Sequence, residues 1–456
     1  MRSAIGVAFG FLALHLVAGA LIPLIGDEAY YTLWATRLDW DYYDHPPMIA
    51  GMIHLGVALF GQSPFGIRVV ALLAMGCASL LVADVARLMG LRPVLAVVYF
   101  NLSLLVAGVG GFATPDAPST LFWLLSSWAA LKATEGQGVR WWLLAGLAAG
   151  LGIMSKFTNL FLGVGYVGWL MFTARGRASL RGLGPYLAVV AAVLPVVPLI
   201  WWNLTHDMLG LERQFGRISG GTLTARHLVE YLALLILLPS PVIGVLALRG
   251  VWRPFLGRGL LLWSVAPLLA YFGVHALHAQ VQANWLIPVA AGVALLAAAA
   301  GRWQRPAVAV GAVFSFGLLA VALNPWVPIG TTDNPPNQTR GWPAALAQMS
   351  GAMEGAEWVA TTEYMATGQL FVGLDLPVHA VTDVQRYGFR GLFPKGLCDA
   401  PGVLVEVTKG DATRGAELFA EIGEPVRVER RQAGVVLQSY ALRRVRGVTN
   451  PALCPR

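Results

Sequence analysis

Residues 4–31 read AIGVAFGFLALHLVAGALIPLIGDEAYY. No Asp, Glu, Lys or Arg interrupts the run from Ala4 to Ile25, and about 20 apolar residues in a helix cross the hydrocarbon of a bilayer. The run lacks a small-residue cleavage site and passes straight into Gly26-Asp27-Glu28. It therefore reads as a first membrane span rather than a leader, with Arg2 holding the amino end in the cytoplasm. This one stretch sets the fold class: a helical membrane protein whose first outer loop opens with two acids.

Composition agrees. Of 456 residues, 57% are hydrophobic and 12% charged, against about 25% charged in a soluble domain, so lipid must solvate much of the surface. The net charge of +8 is scattered between apolar runs. A nucleic-acid footprint needs clustering on one face, so the basic balance is read as topology, with membrane lipids and no nucleic acid as partners.

Further apolar runs lie near 67–88, 93–111, 118–134, 139–155, 157–174, 183–202, 227–248, 259–277, 285–301 and 306–323, making about eleven spans. Alternate loops hold Arg87 and Arg92; Lys132 and Arg140; Arg175, Arg177 and Arg181; Arg249, Arg253 and Arg258; Arg302 and Arg305. Lys and Arg in short loops favour the cytoplasm, and the opposite loops carry acids and polar clusters instead. An odd number of spans puts the carboxyl-terminal segment outside.

The predicted organisation is a transmembrane domain over 1–323, with its outer loop at 26–66, and a small α/β domain over 324–456. Asp333-Asn334-Pro335-Pro336 reads as an extended linker. Strands are expected at Glu357–Thr362, Pro377–Thr382 and Val403–Val407, helices near 342–353, 364–373 and 413–422, and a hairpin from Pro425 to Arg446 turning at Ala433-Gly434. Cys77 falls within a span, as inert packing. An oxidising compartment would allow Cys398 and Cys454 to pair, a question left to geometry.

The outer loops hold the chemistry. Behind Asp27 and Glu28 comes Asp39-Trp40-Asp41-Tyr42-Tyr43-Asp44-His45-Pro46-Pro47-Met48. Acids at a span exit are consistent with helix capping, and aromatic belts explain the tyrosines, but neither explains Asp44-His45-Pro46-Pro47. A second outer turn reads Thr114-Pro115-Asp116-Ala117-Pro118, where Asp116 can cap a helix or share proton transfer with a second carboxylate in one cavity. Ser155-Lys156-Phe157-Thr158 offers either a snorkelling lysine or a cation for phosphate. The loop from Asn203 to Arg226 contains His206, Asp207, Gln214 and Arg217, and Gln280-Val281-Gln282-Ala283-Asn284-Trp285 forms a polar span entry of the kind that lines wet cavities.

The strings GDEAYY, YYDHPPM, TPDAP, SKFT, NLTHD with Gln-Phe-Gly-Arg, and QVQANW follow in this order over residues 20–300. This set resembles the bacterial membrane glycosyltransferases related to protein O-mannosyltransferases and to aminoarabinose transferases of lipid A, which share the GT-C fold. The resemblance implies a GT-C helical bundle in the bacterial inner membrane, with its active site and carboxyl-terminal domain facing the periplasm. It implies transfer of one sugar from a polyprenyl-phosphate donor to a glycolipid or protein acceptor. Asp27 would be the base or the carboxylate that orients the acceptor, Glu28 its support and Asp116 the acid of the second motif. Tyr30, Tyr43, Asp44, His45, His206, Gln282 and Asn284 would contact substrate, and Lys156 and Arg217 would bind phosphate. His45 stands where aminoarabinose transferases have lysine before the two prolines, a departure that points to hexosyl- or galacturonosyl-transferring branches.

The chemistry is coherent in itself. A hydroxyl attacks well only as its proton leaves, and a positioned base contributes about 10²–10⁴-fold. The oxocarbenium-like transition state favours nearby carboxylates, the departing phosphate favours cations, and direct attack inverts the anomeric carbon. A divalent metal is compatible with Asp27, Glu28, His45 and Asp116, though no ligand spacing requires one. The main rival is a lipid or sugar transporter or flippase, which would show internal repeats and midplane polar residues. Another is a sensory protein that uses its tail, with the basic hairpin Arg427, Arg430, Arg431, Arg443, Arg444 and Arg446, as a binding module. A solvated strand face is the simpler account of those arginines.

Overall fold

The computed structural model describes residues 1–216, 223–324, 335–390, 393–408, 415–451 and 453–454. Every apolar run read above is helical. Arg2–Leu21, Pro64–Leu88, Gly184–Thr205 and Gln304–Leu323 are each long and apolar enough to cross a membrane. Two further runs are bent pairs: Pro93–Asn101 with Leu104–Gly111, at 59°, and Ala225–Leu237 with Pro241–Gly250, at 91°. Met48–Phe60, Val139–Ile153, Phe157–Phe172 and Ala283–Ala299 are shorter apolar helices. The chain is a multi-pass membrane protein.

The straight run expected at 227–248 breaks at Leu238-Pro239-Ser240, because proline supplies no backbone N–H and its ring clashes with the preceding turn. Apolar surroundings require the freed groups to find partners. The Leu238 carbonyl accepts from Ser103 Oγ (3.1 Å) and from the Leu105 amide (3.2 Å), both at the other break, where the Leu102 carbonyl accepts from Ser315 Oγ (2.8 Å). The two bends satisfy each other. In the Gly-rich helix Val139–Ile153, a Cβ on Gly146 would meet the Ala188 carbonyl oxygen at 2.0 Å; glycine is what lets these backbones touch.

The stretch 26–66, expected as a loop, contains two helices, Gly26–Ala35 and Met48–Phe60. Acids in a first helical turn favour its positive end, and the Glu28 carboxylate accepts from the Ile25 amide at 3.1 Å, closing that turn.

The chain divides into two compact units. One comprises Met1–Gly19, Asp44–Met52 and Arg68–Leu319; the other comprises Ala20–Tyr43, Ile53–Ile67 and Ala320–Arg456. In the second, six strands form one sheet: β1 (Trp358–Thr361), β2 (Val378–Ala380), β3 (Gly402–Val407), β4 (Phe419–Ile422), β5 (Val426–Gln432) and β6 (Val435–Val448), in the order β2-β1-β3-β6-β4, with β5 also on β6. β1 pairs in parallel with β2 and β3, and β6 runs antiparallel to β3, β4 and β5. The expected strands, the hairpin and the helices near 342–353 and 364–373 are present.

Three expectations are corrected. Residues 419–422 form β4 rather than the end of a helix, because pairing with β6 overrides a helix-favouring composition. Residues 409–414, before it, lie outside the described residues, as do Asp333 and Asn334 of the linker. Cys77 is exposed on its span, not packed. Arg430 is no surface cation: it is fully buried, donates to the carbonyls of Asn337 (2.8 Å) and Arg340 (2.6 Å), and lies over Trp342. Cys398 and Cys454 are joined as a disulfide, with Cα atoms 6.0 Å apart.

Candidate functional site

In the first unit, five of the motifs meet around Met154–Phe157. The Met48 amide donates to the Met154 carbonyl at 3.1 Å, which ties the segment after His45 to the lysine turn. Met154, Phe157 and Leu199 form a buried cluster against which Met48 and Leu211 pack. Lys156 Nζ lies 2.5 Å from Asp116 Oδ1, and both side chains are almost fully buried, at 6% and 3% exposure. Thr114 Oγ1 donates to the other carboxylate oxygen (3.1 Å), and the Asn284 carbonyl stands 3.5 Å from Nζ. Asp116 stands in the first turn of the helix Asp116–Thr134, so its carboxylate meets the positive end of the helix dipole as well as the Lys156 side chain.

The segment 203–216 folds over Asp44. Asn203, fully buried, accepts from the Leu211 amide (3.1 Å) and so closes the turn. Gln214 Nε2 then donates to the Asp44 carbonyl, and Arg213 stands 3.9 Å from the Asp44 carboxylate.

In the second unit Asp27 heads the helix Gly26–Ala35 and accepts from Tyr364 Oη at 3.2 Å. The Tyr364 ring packs edge-on against Tyr30 at 5.3 Å. The Arg386 guanidinium lies over three rings, those of Tyr364 (4.7 Å), Tyr43 (5.3 Å) and Tyr30 (5.7 Å), a geometry that attracts a cation to the π face. Burial, together with the Asp27 and Glu363 carboxylates, pushes the Tyr364 phenol far above its usual range, so it stays a neutral donor.

The structure thus gathers Asp116, Lys156 and Asn284 in one cluster, Asp44 close by in the same unit, and Asp27, Tyr30 and Tyr43 in another. Glu28 is fully buried in the cap of Asp27's helix. His45 is half-buried beside Asp44. His206 is exposed and stacks on Trp202 at 4.1 Å, and Gln282 is exposed at the start of a short 3₁₀ helix. Arg217 lies outside the described residues. Sequence reading missed Tyr364, Arg386 and Arg213. The first two lie in a domain read as ordinary α/β, and no local pattern marks them. Among the described residues, no three His, Cys, Asp or Glu side chains gather as a metal site.

The chain is a membrane bundle of broken and straight helices followed by a sheet domain, with a buried acid–cation pair in the bundle, and this is the fold class seen in GT-C proteins of known structure. The match is specific. Residues 44–202 match the family described as dolichyl-phosphate-mannose-protein mannosyltransferase. The chain is 28% identical to lipid A galacturonosyltransferase RgtD of Rhizobium johnstonii, over 57% of each chain. It is also 28% identical to undecaprenyl phosphate-alpha-4-amino-4-deoxy-L-arabinose arabinosyl transferase 1 of Sodalis glossinidius, over 85% of this chain and 79% of that one. The chain spans about half the length of most of the curated relatives it matches. In fold it is similar to ArnT from Cupriavidus metallidurans, solved bound to undecaprenyl phosphate, at 15% identity and a TM-score of 0.66 over 97% of both chains. The resemblance read from the motifs is supported by these likenesses, and the fold is similar to that of ArnT.

Proposed function

We propose that the protein is an inverting glycosyltransferase of the bacterial inner membrane, moving one sugar from a polyprenyl-phosphate carrier to an acceptor at the periplasmic face. The acceptor class favoured by the relatives' names is lipid A or a similar glycolipid. The observation that carries this reading is the Asp116–Lys156 salt bridge, withdrawn from water at the head of a helix in a bundle of apolar spans. Charges in such a place are costly unless they serve a function. Lys156 has three N–H donors; among the described residues one is committed to Asp116 and a second is at the limit of reach of the Asn284 carbonyl, which leaves the third for a phosphate oxygen.

Asp27 is the base that takes the acceptor hydroxyl proton as its oxygen attacks the anomeric carbon. The bond from that carbon to the phosphate oxygen breaks as the new one forms, so the configuration inverts and polyprenyl phosphate leaves with the electron pair. Lys156 offsets the charge left on that phosphate, and Asp116 holds Lys156 in place. Glu28 keeps the first turn of Asp27's helix formed. Arg217 remains a phosphate ligand proposed from sequence, and Arg213 joins it.

The test is transfer from a radiolabelled polyprenyl-phosphate sugar to envelope lipid extract. Asp27→Asn should abolish transfer while the protein still folds. Normal transfer by that variant removes Asp27 from the mechanism, and mass spectrometry of envelope glycolipids from a deletion strain identifies the acceptor.

A further inference from the structure

The helix Tyr364–Gly373 of the sheet domain is seated on Gly26–Ala35, both in the second unit, with unusual closeness. A Cβ on Gly368 would lie 2.4 Å from the Tyr30 backbone nitrogen, and one on Gly26 would lie 2.7 Å from Met365 Cγ. Gln369 Nε2 donates to the Leu24 carbonyl at 3.0 Å, just before the first turn. Glu363 caps the incoming helix, accepting from the Ala366 amide at 2.8 Å, and so sets the direction in which the next residue leaves. That next residue is Tyr364. Its hydroxyl reaches Asp27 because two glycines, one amide and one cap leave the helix little other place to go.

We propose that Tyr364 is a positioning residue for the transfer reaction: its hydroxyl holds the Asp27 carboxylate in orientation, and the sheet domain is thereby a working part of the catalytic apparatus. This rests on the role given above to Asp27. A carboxylate with a rigid neutral donor on Oδ1 presents its second oxygen in a constant direction, and general-base catalysis depends on that direction. Arg386 over the phenol ring withdraws electron density and strengthens the donor, and Tyr43 and Tyr30 hold Arg386 from its other sides. Ionisable groups near the Asp27–Tyr364 contact include Glu28 on Asp27's own helix, Glu363 and Arg386 beside Tyr364, and Tyr30, Tyr43 and Tyr387 in the ring cluster; replacing Tyr364 by Phe alters only one of them.

The experiment compares Tyr364→Phe, Met365→Leu, Asp27→Asn and wild type in the full-length purified protein, with kcat and KM measured across pH. Tyr364→Phe should lower kcat about tenfold with donor KM unchanged, and should move the acid limb of the profile up by about one pH unit, because a carboxylate that loses a donor binds its proton more tightly. Met365→Leu touches the same helix junction but leaves the hydroxyl, and should keep the wild-type profile. An unmoved acid limb in folded Tyr364→Phe overturns the proposal, as does an equal shift in Met365→Leu. If Tyr364→Phe does not fold, Arg386→Gln serves in its place, with a smaller shift in the same direction expected and no shift overturning the idea. Full activity in Asp27→Asn would instead overturn the assignment of the base, a separate failure.

Discussion

Replacing Lys156 by methionine keeps most of the side-chain volume and removes one charge of a buried pair. At 2.5 Å the Coulomb attraction at an effective dielectric of 20 is about 6–7 kcal/mol, and taking each ion out of water costs several kcal/mol. The pair therefore sits close to balance, and its worth appears only when it is broken. Lys156→Met leaves the Asp116 carboxylate almost fully buried, with the Thr114 hydroxyl its remaining side-chain donor among the described residues. An uncompensated charge of this kind costs about 3–5 kcal/mol. The double variant Lys156→Met with Asp116→Leu leaves no unpaired charge, only the Thr114 hydroxyl without its carboxylate, and should be close to wild type in stability. Asp116→Leu alone, which strands the Lys156 side chain, completes the cycle: the two single losses sum to about 6–10 kcal/mol while the double variant loses little, whereas independent sites would add. The assay is unfolding in mixed micelles titrated with SDS, followed by tryptophan fluorescence and paired with transfer activity. Lys156→Met should be unstable and inactive, and the double variant stable and inactive. Additive losses, or wild-type stability in Lys156→Met, would refute the reasoning that these charges are dry and mutually dependent.

Gly368→Ala should separate two helices at a backbone contact, lowering stability by about 2 kcal/mol and kcat with it, measured by the same titration and transfer assay. Replacing both Cys398 and Cys454 by serine opens a loop of sequence separation 56, which should cost the sheet domain about 4 kcal/mol, seen as a lowered melting transition that reductant no longer shifts. Burial among Trp358 and Phe393, with Arg390 close by, lowers the His379 imidazole to about 4. Its folded value lies below the unfolded one, so it contributes full stability above about pH 6.5 and loses it as pH falls toward 4. The change should be of order 1–2 kcal/mol between pH 7 and 5, and His379→Phe should flatten that part of the stability profile.

Much of this architecture is local and was legible in the residues. Each apolar run became helical, and β1 to β3, the hairpin and two helices of the sheet domain followed from short-range alternation and turn residues. The acids of GDEAYY and TPDAP fall in first helical turns, where Glu28 closes its turn while Asp116 makes no cap bond and meets Lys156 instead. The helix read near 413–422 failed because Glu417-Leu418-Phe419 favours a helix locally, while β6 offers an open edge that only the assembled sheet presents.

The amino-acid sequence alone determined what each segment is: apolar runs that must leave water, and acids placed at helix starts. These follow from transfer free energy and backbone geometry, both written within a few neighbouring residues. Tertiary structure decided which segments act together. Asp116 finds Lys156 across 40 residues, and Asp27 finds Tyr364 across 337. No periodicity encodes such meetings, because they depend on how closely Gly368 lets one helix approach another and on which bent helix supplies the partner a freed carbonyl needs.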